Sequence, residues 1–300
     1  MPSTSTLLTV HAHPDDETIS TGGVMARYSR AGHRVICVTC TGGEHGEIVV
    51  PELDTPENHA RLRDLRADEL ARALAQLGPI EGRQLGYIDS GMMGTPQNEE
   101  AGSFWTCDLD EATGRLVRIV RETQPHVIVG YNDFGGYGHP DHIRAAQIAK
   151  LAFARAGDPA WYPEQLAEGL TPWTPLKLYE SVMDITRRQE LLEKLQERGV
   201  RTWLTGREGE TDEEREGRLA QIARMAAAAG PKTTSVDVTD VIDAKLAALR
   251  EHVTQIAADN FFLVFTPDEW REFQPTEDFT LKVSRTGLVE IPESDLFAGI

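Results

Sequence analysis

Two short stretches crowd imidazole and carboxylate groups into the turn between a predicted strand and a predicted helix. Residues 11–17 read His-Ala-His-Pro-Asp-Asp-Glu, and residues 138–142 read Gly-His-Pro-Asp-His. Each follows an apolar run of strand character. Nitrogen and oxygen donors of this kind suit zinc or ferrous iron better than magnesium. The residue types therefore predict a transition-metal site to which both turns contribute.

The spacing within each turn suggests which side chains hold the metal. His13 and Asp16 lie three residues apart across a helix start, so both can reach one point on the same side. His142 occupies the matching place in the second turn. If the two strands are neighbours in a parallel sheet, right-handed crossovers bring the turns together. Two histidines and a carboxylate leave a fourth position for water, which is typical of catalytic zinc.

Metal-assisted hydrolysis also needs groups that move protons. A metal of this kind lowers the pKa of its bound water towards ~7 and polarises a carbonyl. Asp15, beside the ligand Asp16, is the candidate base. His139, close to the second turn's ligand, is the candidate acid or oxyanion partner. Asp141 could hold the His139 ring and favour its imidazolium form. These residues predict hydrolysis of an amide or an ester.

The elements that must position these turns alternate between strand and helix over the first half of the chain. The predicted strands are residues 7–11, 34–39, 84–88 and 127–131, and the predicted helices are 18–31, 59–77, 109–122 and 140–155. This alternation predicts βαβ units and a parallel sheet. Ligands bind beyond the carboxyl ends of the strands in such folds, which is where both turns fall.

The second half of the chain is less regular. It offers predicted strands at residues 176–182 and 236–238 and predicted helices at 184–198, 208–229 and 240–256. We therefore predict an α/β protein with a Rossmann-like, mostly parallel sheet flanked by helices over residues 1–170. A smaller α+β C-terminal part, residues 171–300, is expected to cover the substrate cleft.

The composition of the chain argues against two classes of binding partner. The chain has 300 residues and a formal net charge of −18, which argues against nucleic acid and anionic membrane surfaces. No stretch approaches the roughly 20 apolar residues that a membrane span needs. The first residues lack the basic region of a secretory signal, so we expect a cytoplasmic protein. A small-molecule partner fits best, and a homo-oligomer stays open.

The cysteines indicate packing rather than chemistry. Three cysteines in 300 residues do not make a disulfide framework. Cys37 and Cys40 have the spacing of a zinc or redox pair. They lie in a predicted strand, however, where residues three apart face opposite sides. We expect both, like Cys107, to be small buried hydrophobic residues.

The motifs together resemble a known family. Ala-His-Pro-Asp-Asp-Glu at residues 12–17 and Gly-His-Pro-Asp-His at 138–142 resemble the LmbE-like, or PIG-L type, zinc-dependent N-acetylglucosaminyl deacetylases. The supporting stretches are V-T-C-T-G-G-E from Val38, D-S-G-M from Asp89, G-G-Y-G from Gly135, H-V-T-Q-I from His252 and D-L-F-A-G-I from Asp295. The similarity is closest to the mycothiol-pathway branch, which contains the N-acetylglucosaminyl-inositol deacetylase and the mycothiol S-conjugate amidase.

The resemblance implies zinc as the cofactor, with Fe²⁺ as the alternative in vivo. The implied ligands are His13, Asp16 and His142. Asp15 corresponds to the general base. His139 corresponds to the histidine that stabilises the oxyanion and protonates the amine, with Asp141 behind it.

Further positions are implied by the resemblance alone. Tyr137 corresponds to a mobile tyrosine that helps polarise the substrate carbonyl. Arg66 and Asp89 correspond to positions that grip sugar or inositol hydroxyls, although the helix pattern by itself puts Arg66 on a solvated face. Asn132 stands where relatives often carry aspartate. Residues 19–22 resemble the deacetylase more than the amidase, which tends to have a lysine there.

The expected function is removal of the N-acetyl group from an N-acetylglucosamine-containing small molecule of the glucosaminyl-inositol type. Two enzymatic alternatives are a mycothiol S-conjugate amidase, with a larger acyl pocket, and a tailoring deacetylase of a glycosylated natural product. A third alternative is a non-catalytic carbohydrate-binding protein with a vestigial metal site. The intact Asp15 and His139 argue against it, because binding alone needs no base beside the ligands.

Overall fold

The computed structural model describes residues 4–182, 193–200, 202, 206, 209–287 and 290–300. Its strands are β1 (Thr6–His11), β2 (Arg34–Thr41), β3 (Glu81–Tyr87), β4 (Val127–Gly130), β5 (Lys177–Val182), β6 (Thr234–Asp237) and β7 (Thr276–Ser284). They form one seven-stranded sheet in the order β3-β2-β1-β4-β5-β7-β6. The first five strands are parallel to one another, and β7 is antiparallel to β5 and β6. The predicted α/β fold with a mostly parallel sheet is confirmed.

Helices cover both faces of the sheet. They are α1 (Asp16–Arg30), α2 (Pro56–His59), α3 (Leu62–Leu77), α4 (Leu109–Thr123), α5 (Pro140–Arg155), α6 (Pro163–Ala167), α7 (Asp212–Ala228), α8 (Ile242–Leu249) and α9 (Pro267–Phe273). Short 3₁₀ turns lie at Pro96–Glu99 and Thr239–Val241. In the part of the chain described, no helix is long and apolar enough to cross a bilayer.

Alternate residues of each central strand feed two separate cores. On β1, Leu7 packs with α1, α3 and α8, whereas Leu8 packs with α4 and α5 on the other face. Cys37 and Cys40 divide in the same way and are both buried. The expectation that these two cysteines are packing residues is therefore confirmed, because a strand turns residues three apart to opposite faces.

Two predicted helices were wrong in extent. The predicted helix 59–77 corresponds to α3, which begins at Leu62, because His59 ends the separate short helix α2, which Thr55 caps. The predicted helix 240–256 begins with a 3₁₀ turn and ends at Leu249. Beyond Leu249 the backbone leaves the helix, and His252 and Thr254 contact buried carboxylates on α1 and α3. Tertiary contacts therefore override the local helical pattern there.

The two His-Pro-Asp turns begin their helices differently. Pro140 takes the first position of α5, as proline's fixed φ favours. Pro14, by contrast, lies before its helix, and α1 begins at Asp16, two residues earlier than predicted. The cause is Asp15, whose φ of 120° interrupts the helical path between them.

The C-terminal half adds to the sheet that the first half builds. Residues beyond 170 supply β5, β6 and β7, and the antiparallel strand β7 was absent from the predicted elements. The predicted helix 184–198 lies largely outside the described residues, of which 193–197 are helical. The division at residue 170 stays a prediction, and the sheet runs across it.

A buried ion pair fastens the C-terminal tail to β5. Lys177 Nζ contacts a Glu293 carboxylate oxygen, and both side chains are fully buried. The other carboxylate oxygen accepts hydrogen bonds from Tyr179 Oη at 2.7 Å and Thr234 Oγ1 at 2.9 Å. Burying two charges lowers the free energy of unfolding unless hydrogen bonds such as these satisfy them. The ion pair is therefore stable only with the hydrogen bonds from Tyr179 and Thr234 in place.

Removing one charge of this pair should cost more than removing both. We expect Glu293→Ala to lower the free energy of unfolding by about 3–5 kcal/mol, because it leaves Lys177 charged and buried without a partner. The double variant K177M/E293L should lose less. Urea unfolding measures both, with Glu168→Ala in an exposed pair as a near-neutral control. Equal losses in the single and double variants would contradict this reading.

Candidate metal centre and catalytic site

The pairing of β1 with β4 brings the two His-Pro-Asp turns together. Leu7 pairs with Val127 and Thr9 with Val129, in parallel register. The strand order reverses its direction of growth between these two strands, and open α/β sheets bind ligands at such a switch point. Both turns leave the sheet at its carboxyl edge, and the rings of His13 and His142 lie 5.2 Å apart.

Three donor atoms form a nearly regular triangle at this point. His13 Nδ1 and His142 Nε2 are each 3.3 Å from Asp16 Oδ2, and they are 3.3 Å from each other. Ligand atoms about 2.1 Å from a tetrahedral zinc lie about 3.4 Å apart. All three residues are buried. The set therefore fits a tetrahedral divalent metal with one position left for another ligand.

The ring of His13 is held from its other side by carboxylates. Its Nε2 lies 3.2 Å from Asp141 Oδ2 and 3.6 Å from Asp89 Oδ1. Ser90 donates to Asp141 through its backbone N–H at 2.9 Å and through its hydroxyl. Metal-binding histidines commonly give their second ring nitrogen to a carboxylate in this way. Asp141 thus orients the His13 ring.

Burial alone would lower the pKa of His13. The nearby carboxylates of Asp89, Asp141 and Asp16 outweigh burial and raise this pKa well above its usual value. The pKa of Asp16 is held well below its usual value against the effect of burial, through His142 and His13. The surroundings therefore concentrate negative charge where a cation would be held.

The predicted partner of His139 was wrong. The Asp141 carboxylate contacts His13 and Ser90, while His139 caps α5 and its Nδ1 accepts the Asp141 backbone N–H at 3.2 Å. The predicted imidazolium form was also wrong. Burial, together with His13 and His142, lowers the pKa of His139 to about 2. With Nδ1 accepting a hydrogen bond, the neutral ring carries its proton on Nε2, where it can donate to a substrate oxygen.

Asp15 is held in a strained backbone conformation. Its φ of 120° is unfavourable for a residue with a side chain and costs about 1–3 kcal/mol. Its N–H donates to Glu17 Oε2 at 2.8 Å, and Arg66 Nη2 lies 3.3 Å from its carboxylate. Burial raises the pKa of Asp15 to about 6, although Arg66 opposes the rise and Asp16 adds to it. This pKa suits a general base at neutral pH.

Arg66 is buried, so the helix pattern that placed it on a solvated face was misleading. Its guanidinium donates to the carbonyls of Pro14 at 2.6 Å and Gly43 at 2.7 Å, which ties the first turn to the glycine-rich loop after β2. Asp89 is also buried and accepts the Gly91 N–H at 2.8 Å. Asp89 Oδ1 lies 3.6 Å from His13 Nε2, and Arg66 contacts Asp15. The contact of both residues with substrate hydroxyls stays a prediction.

Tyr137 lies over the second turn. Its Oη is 3.5 Å from His142 Nε2, and its backbone carbonyl accepts a hydrogen bond from Gln221 on α7. Burial raises the pKa of Tyr137, so its hydroxyl stays protonated and able to donate. Asn132 Oδ1 accepts two backbone N–H groups of the same loop, at 3.1 and 3.0 Å. The asparagine at this position thus shapes the loop that carries the tyrosine.

Three residues of the site were not predicted as functional. Ser90 fixes Asp141, Tyr131 Oη accepts the Ala12 N–H at 3.1 Å and hydrogen-bonds Asp16, and His252 pairs with Glu17. Ser90 is the second residue after the predicted strand 84–88, and Tyr131 is the last residue of the predicted strand 127–131. Their positions at the carboxyl ends of these strands could have marked them. His252 was placed inside a helix, and its own sequence context gives no sign of Glu17.

Comparison with known proteins identifies the family. Residues 8–153 match the PIG-L family model, described as GlcNAc-PI de-N-acetylase. A protein of Catenulispora acidiphila, 1D-myo-inositol 2-acetamido-2-deoxy-alpha-D-glucopyranoside deacetylase 1, is 40% identical over 305 residues, spanning 98% of this chain and 89% of that protein. The chain belongs to the PIG-L family. A Nocardiopsis dassonvillei deacetylase with the same name apart from the final numeral is 40% identical over 299 residues, spanning 97% and 99% of the two chains.

Solved structures share the fold of this PIG-L family member. N,N'-diacetylchitobiose deacetylase from Pyrococcus horikoshii matches with a TM-score of 0.60 at 20% identity, over 93% of this chain and 84% of that one. GalB, the 4-carboxy-2-hydroxymuconate hydratase of Pseudomonas putida, also matches at 0.60, with 19% identity over 95% and 98%. One neighbour is a deacetylase and the other a hydratase, so this likeness shows the fold alone.

The donor triangle predicts which variants of this PIG-L family protein lose metal. Asp16→Asn and His142→Ala should each weaken zinc binding by more than about 100-fold, because each removes a predicted ligand. Asp141→Asn should weaken it by about 10–100-fold, the usual cost of losing an outer partner. His11→Gln is the matched control, since His11 is buried nearby but contacts Thr21 instead. Equilibrium dialysis with metal analysis measures this order, and unchanged binding by Asp16→Asn would refute the ligand set.

Proposed function

We propose that this protein is a zinc-dependent deacetylase that hydrolyses the N-acetyl amide of an N-acetylglucosamine–inositol conjugate and releases the free amine. The observation that carries the proposal is the buried triangle of His13, Asp16 and His142, with three separations of 3.3 Å. Relatives about 40% identical over nearly the whole chain are named for this reaction. Fe²⁺ has ligand preferences compatible with the same donors and is the alternative metal.

Asp15, His139 and Tyr137 have different proposed roles around the reacting carbonyl. A bound divalent metal supplies a water of lowered pKa and polarises the carbonyl. Asp15 takes the proton of the attacking water. His139, with its proton on Nε2, and the Tyr137 hydroxyl donate hydrogen bonds to the developing oxyanion. Asp15, now carrying the proton of the water, returns it to the leaving nitrogen, while the neutral His139 ring keeps its Nε2 proton and stays a hydrogen-bond donor.

The substrate's hydroxyl groups would meet the rim formed by the loops after β2 and β3. Arg66, on α3, and Asp89, which follows β3, are each already held by backbone partners. Such pre-positioned groups lose little freedom when a ligand binds. We propose that they orient the sugar or inositol ring while the acetyl group lies toward His139.

The direct test is amine release from N-acetylglucosaminyl-inositol by metal-stripped protein, with and without added zinc. We expect amine only with metal. Asp15→Asn should keep zinc and lose about 10²–10⁴-fold in kcat, the usual contribution of a general base. A mycothiol S-conjugate assayed in parallel should be the poorer substrate. Strong preference for the conjugate, or no amine from protein with zinc demonstrably bound, would overturn the proposed substrate.

The pKa of Asp15 fixes one limb of the pH profile. Because burial raises this pKa to about 6, the carboxylate is ionised above that pH and is lost as a base when the pH falls through it. A bound dication favours the ionised form, so the limb should lie at or below pH 6. We expect kcat/KM to fall about tenfold per pH unit on its acid side. If the residual activity of Asp15→Asn fell along the same acid limb as that of the wild type, Asp15 would not be the source of the limb.

A further inference from the structure

A buried ion pair links the C-terminal half of the chain to the turn that carries Asp15. His252 Nε2 lies 2.9 Å from Glu17 Oε1, and both side chains are fully buried. The same oxygen accepts the Thr18 hydroxyl at 2.5 Å. The second carboxylate oxygen of Glu17 accepts the Asp15 N–H at 2.8 Å. The Glu17 carboxylate therefore connects the His252 ring to the backbone N–H of Asp15, the proposed base.

This backbone contact matters because Asp15 occupies an unfavourable conformation. At φ 120° and ψ −35° a residue with a side chain persists only where its surroundings fix it. The Glu17 carboxylate folds back over the helix start and satisfies the Asp15 N–H, and His252 fixes the direction of that carboxylate. Without His252, Glu17 keeps the Thr18 hydroxyl as its only side-chain partner on Oε1 among the described contacts.

The segment that carries His252 is itself firmly docked. Beyond the end of α8, Thr254 donates its N–H and hydroxyl to the buried Glu69 carboxylate, at 2.9 and 2.8 Å. Glu69 lies on α3 one turn after Arg66, which contacts the Asp15 carboxylate and the Pro14 carbonyl. Asp15 is thus held from one side through Arg66 and from the other through Glu17.

We propose that His252 is a positioning residue that keeps Asp15 in its reactive place through Glu17. This inference rests on the proposed function, in which Asp15 is the base. The competing interpretation is that the pair only stabilises α1, as buried charge pairs do elsewhere. The two differ in what happens to Asp15 when His252 is removed from a protein that remains folded and holds zinc.

The chain contains a matched control on the same helix. Glu277 accepts the N–H groups of Gly23 and Val24 in α1, both at 2.8 Å, and Lys245 Nζ lies 2.6 Å from it. This is again a buried carboxylate that binds α1 backbone groups and pairs with a cation from the C-terminal half. Glu277 meets α1 at Gly23 and Val24, and Lys245 Nζ also donates to the Ile19 carbonyl at 3.0 Å, one turn beyond Asp15. None of these contacts is to an Asp15 atom, so we expect the loss of Lys245 to affect the helix rather than the base.

The experiment compares zinc-loaded His252→Leu, His252→Gln and Lys245→Met proteins. We expect His252→Leu to lower kcat on the order of 100-fold, the cost of misplacing a reacting group by about 1 Å, with KM within about twofold and zinc content unchanged. His252→Gln places an amide N–H near the former Nε2 and should recover most of the loss. Lys245→Met should lower the melting temperature while keeping kcat.

A second readout does not depend on activity. Amide hydrogen exchange at Asp15 should be slow in the wild type and in Lys245→Met, and clearly faster in His252→Leu. Unchanged exchange and kcat in His252→Leu, or an equal loss of kcat in Lys245→Met, would overturn the inference. If the wild type releases no amine at all, the proposed function fails, and the exchange comparison still decides whether His252 holds Asp15.

Discussion

The parallel pairing of β1 with β4 is the constraint on which the rest of the site depends. These strands are far apart in sequence, and each ends in a His-Pro-Asp turn at the same edge of the sheet. Their register brings His13 Nδ1 and His142 Nε2 to 3.3 Å from one carboxylate oxygen of Asp16. A shift of one residue in either strand would turn its side chains to the other face, and the donors would no longer meet.

The site concentrates features that are individually unfavourable. Asp15 has a strained backbone, and Arg66 and the pair of Glu17 and His252 are buried charges. Each is tolerated because neighbouring groups satisfy it: Arg66 meets carbonyls of two loops, and Glu17 meets a backbone N–H as well as a cation. Removing one member of such a network leaves the others buried without partners. Asp15 and the three donor residues therefore belong to one network of buried contacts.

Much of the framework could be predicted from local sequence. The apolar strands and the turn residues that follow them predicted the parallel sheet, the α5 start at Pro140 and the grouping of His13, Asp16 and His142. Contacts between residues distant in sequence could not be predicted. Asp141 precedes His142 and was expected to serve His139, yet its carboxylate points across the site to His13, which belongs to the other turn. The direction of the Asp141 side chain depends on how the two turns pack against each other, and the periodicity of apolar residues in the sequence does not predict that packing.

The same limit applies to the C-terminal half. The helical pattern around Lys245 continued past Leu249, whereas the chain leaves the helix so that His252 and Thr254 reach Glu17 and Glu69. Strand β7 was not predicted, and its antiparallel partners β5 and β6 both lie far from it in sequence. The local sequence therefore did not predict the contacts of His252 and Thr254, although these buried polar residues support the site.

The most direct test of the metal centre is a crystal structure of the zinc-loaded protein with anomalous scattering data at the zinc edge. We predict one strong peak within about 2.3 Å of His13 Nδ1, Asp16 Oδ2 and His142 Nε2, with Asp141 on the far side of the His13 ring. A peak on the opposite edge of that ring, held by Asp89, His139 and Asp141, would contradict the ligand assignment and the roles derived from it.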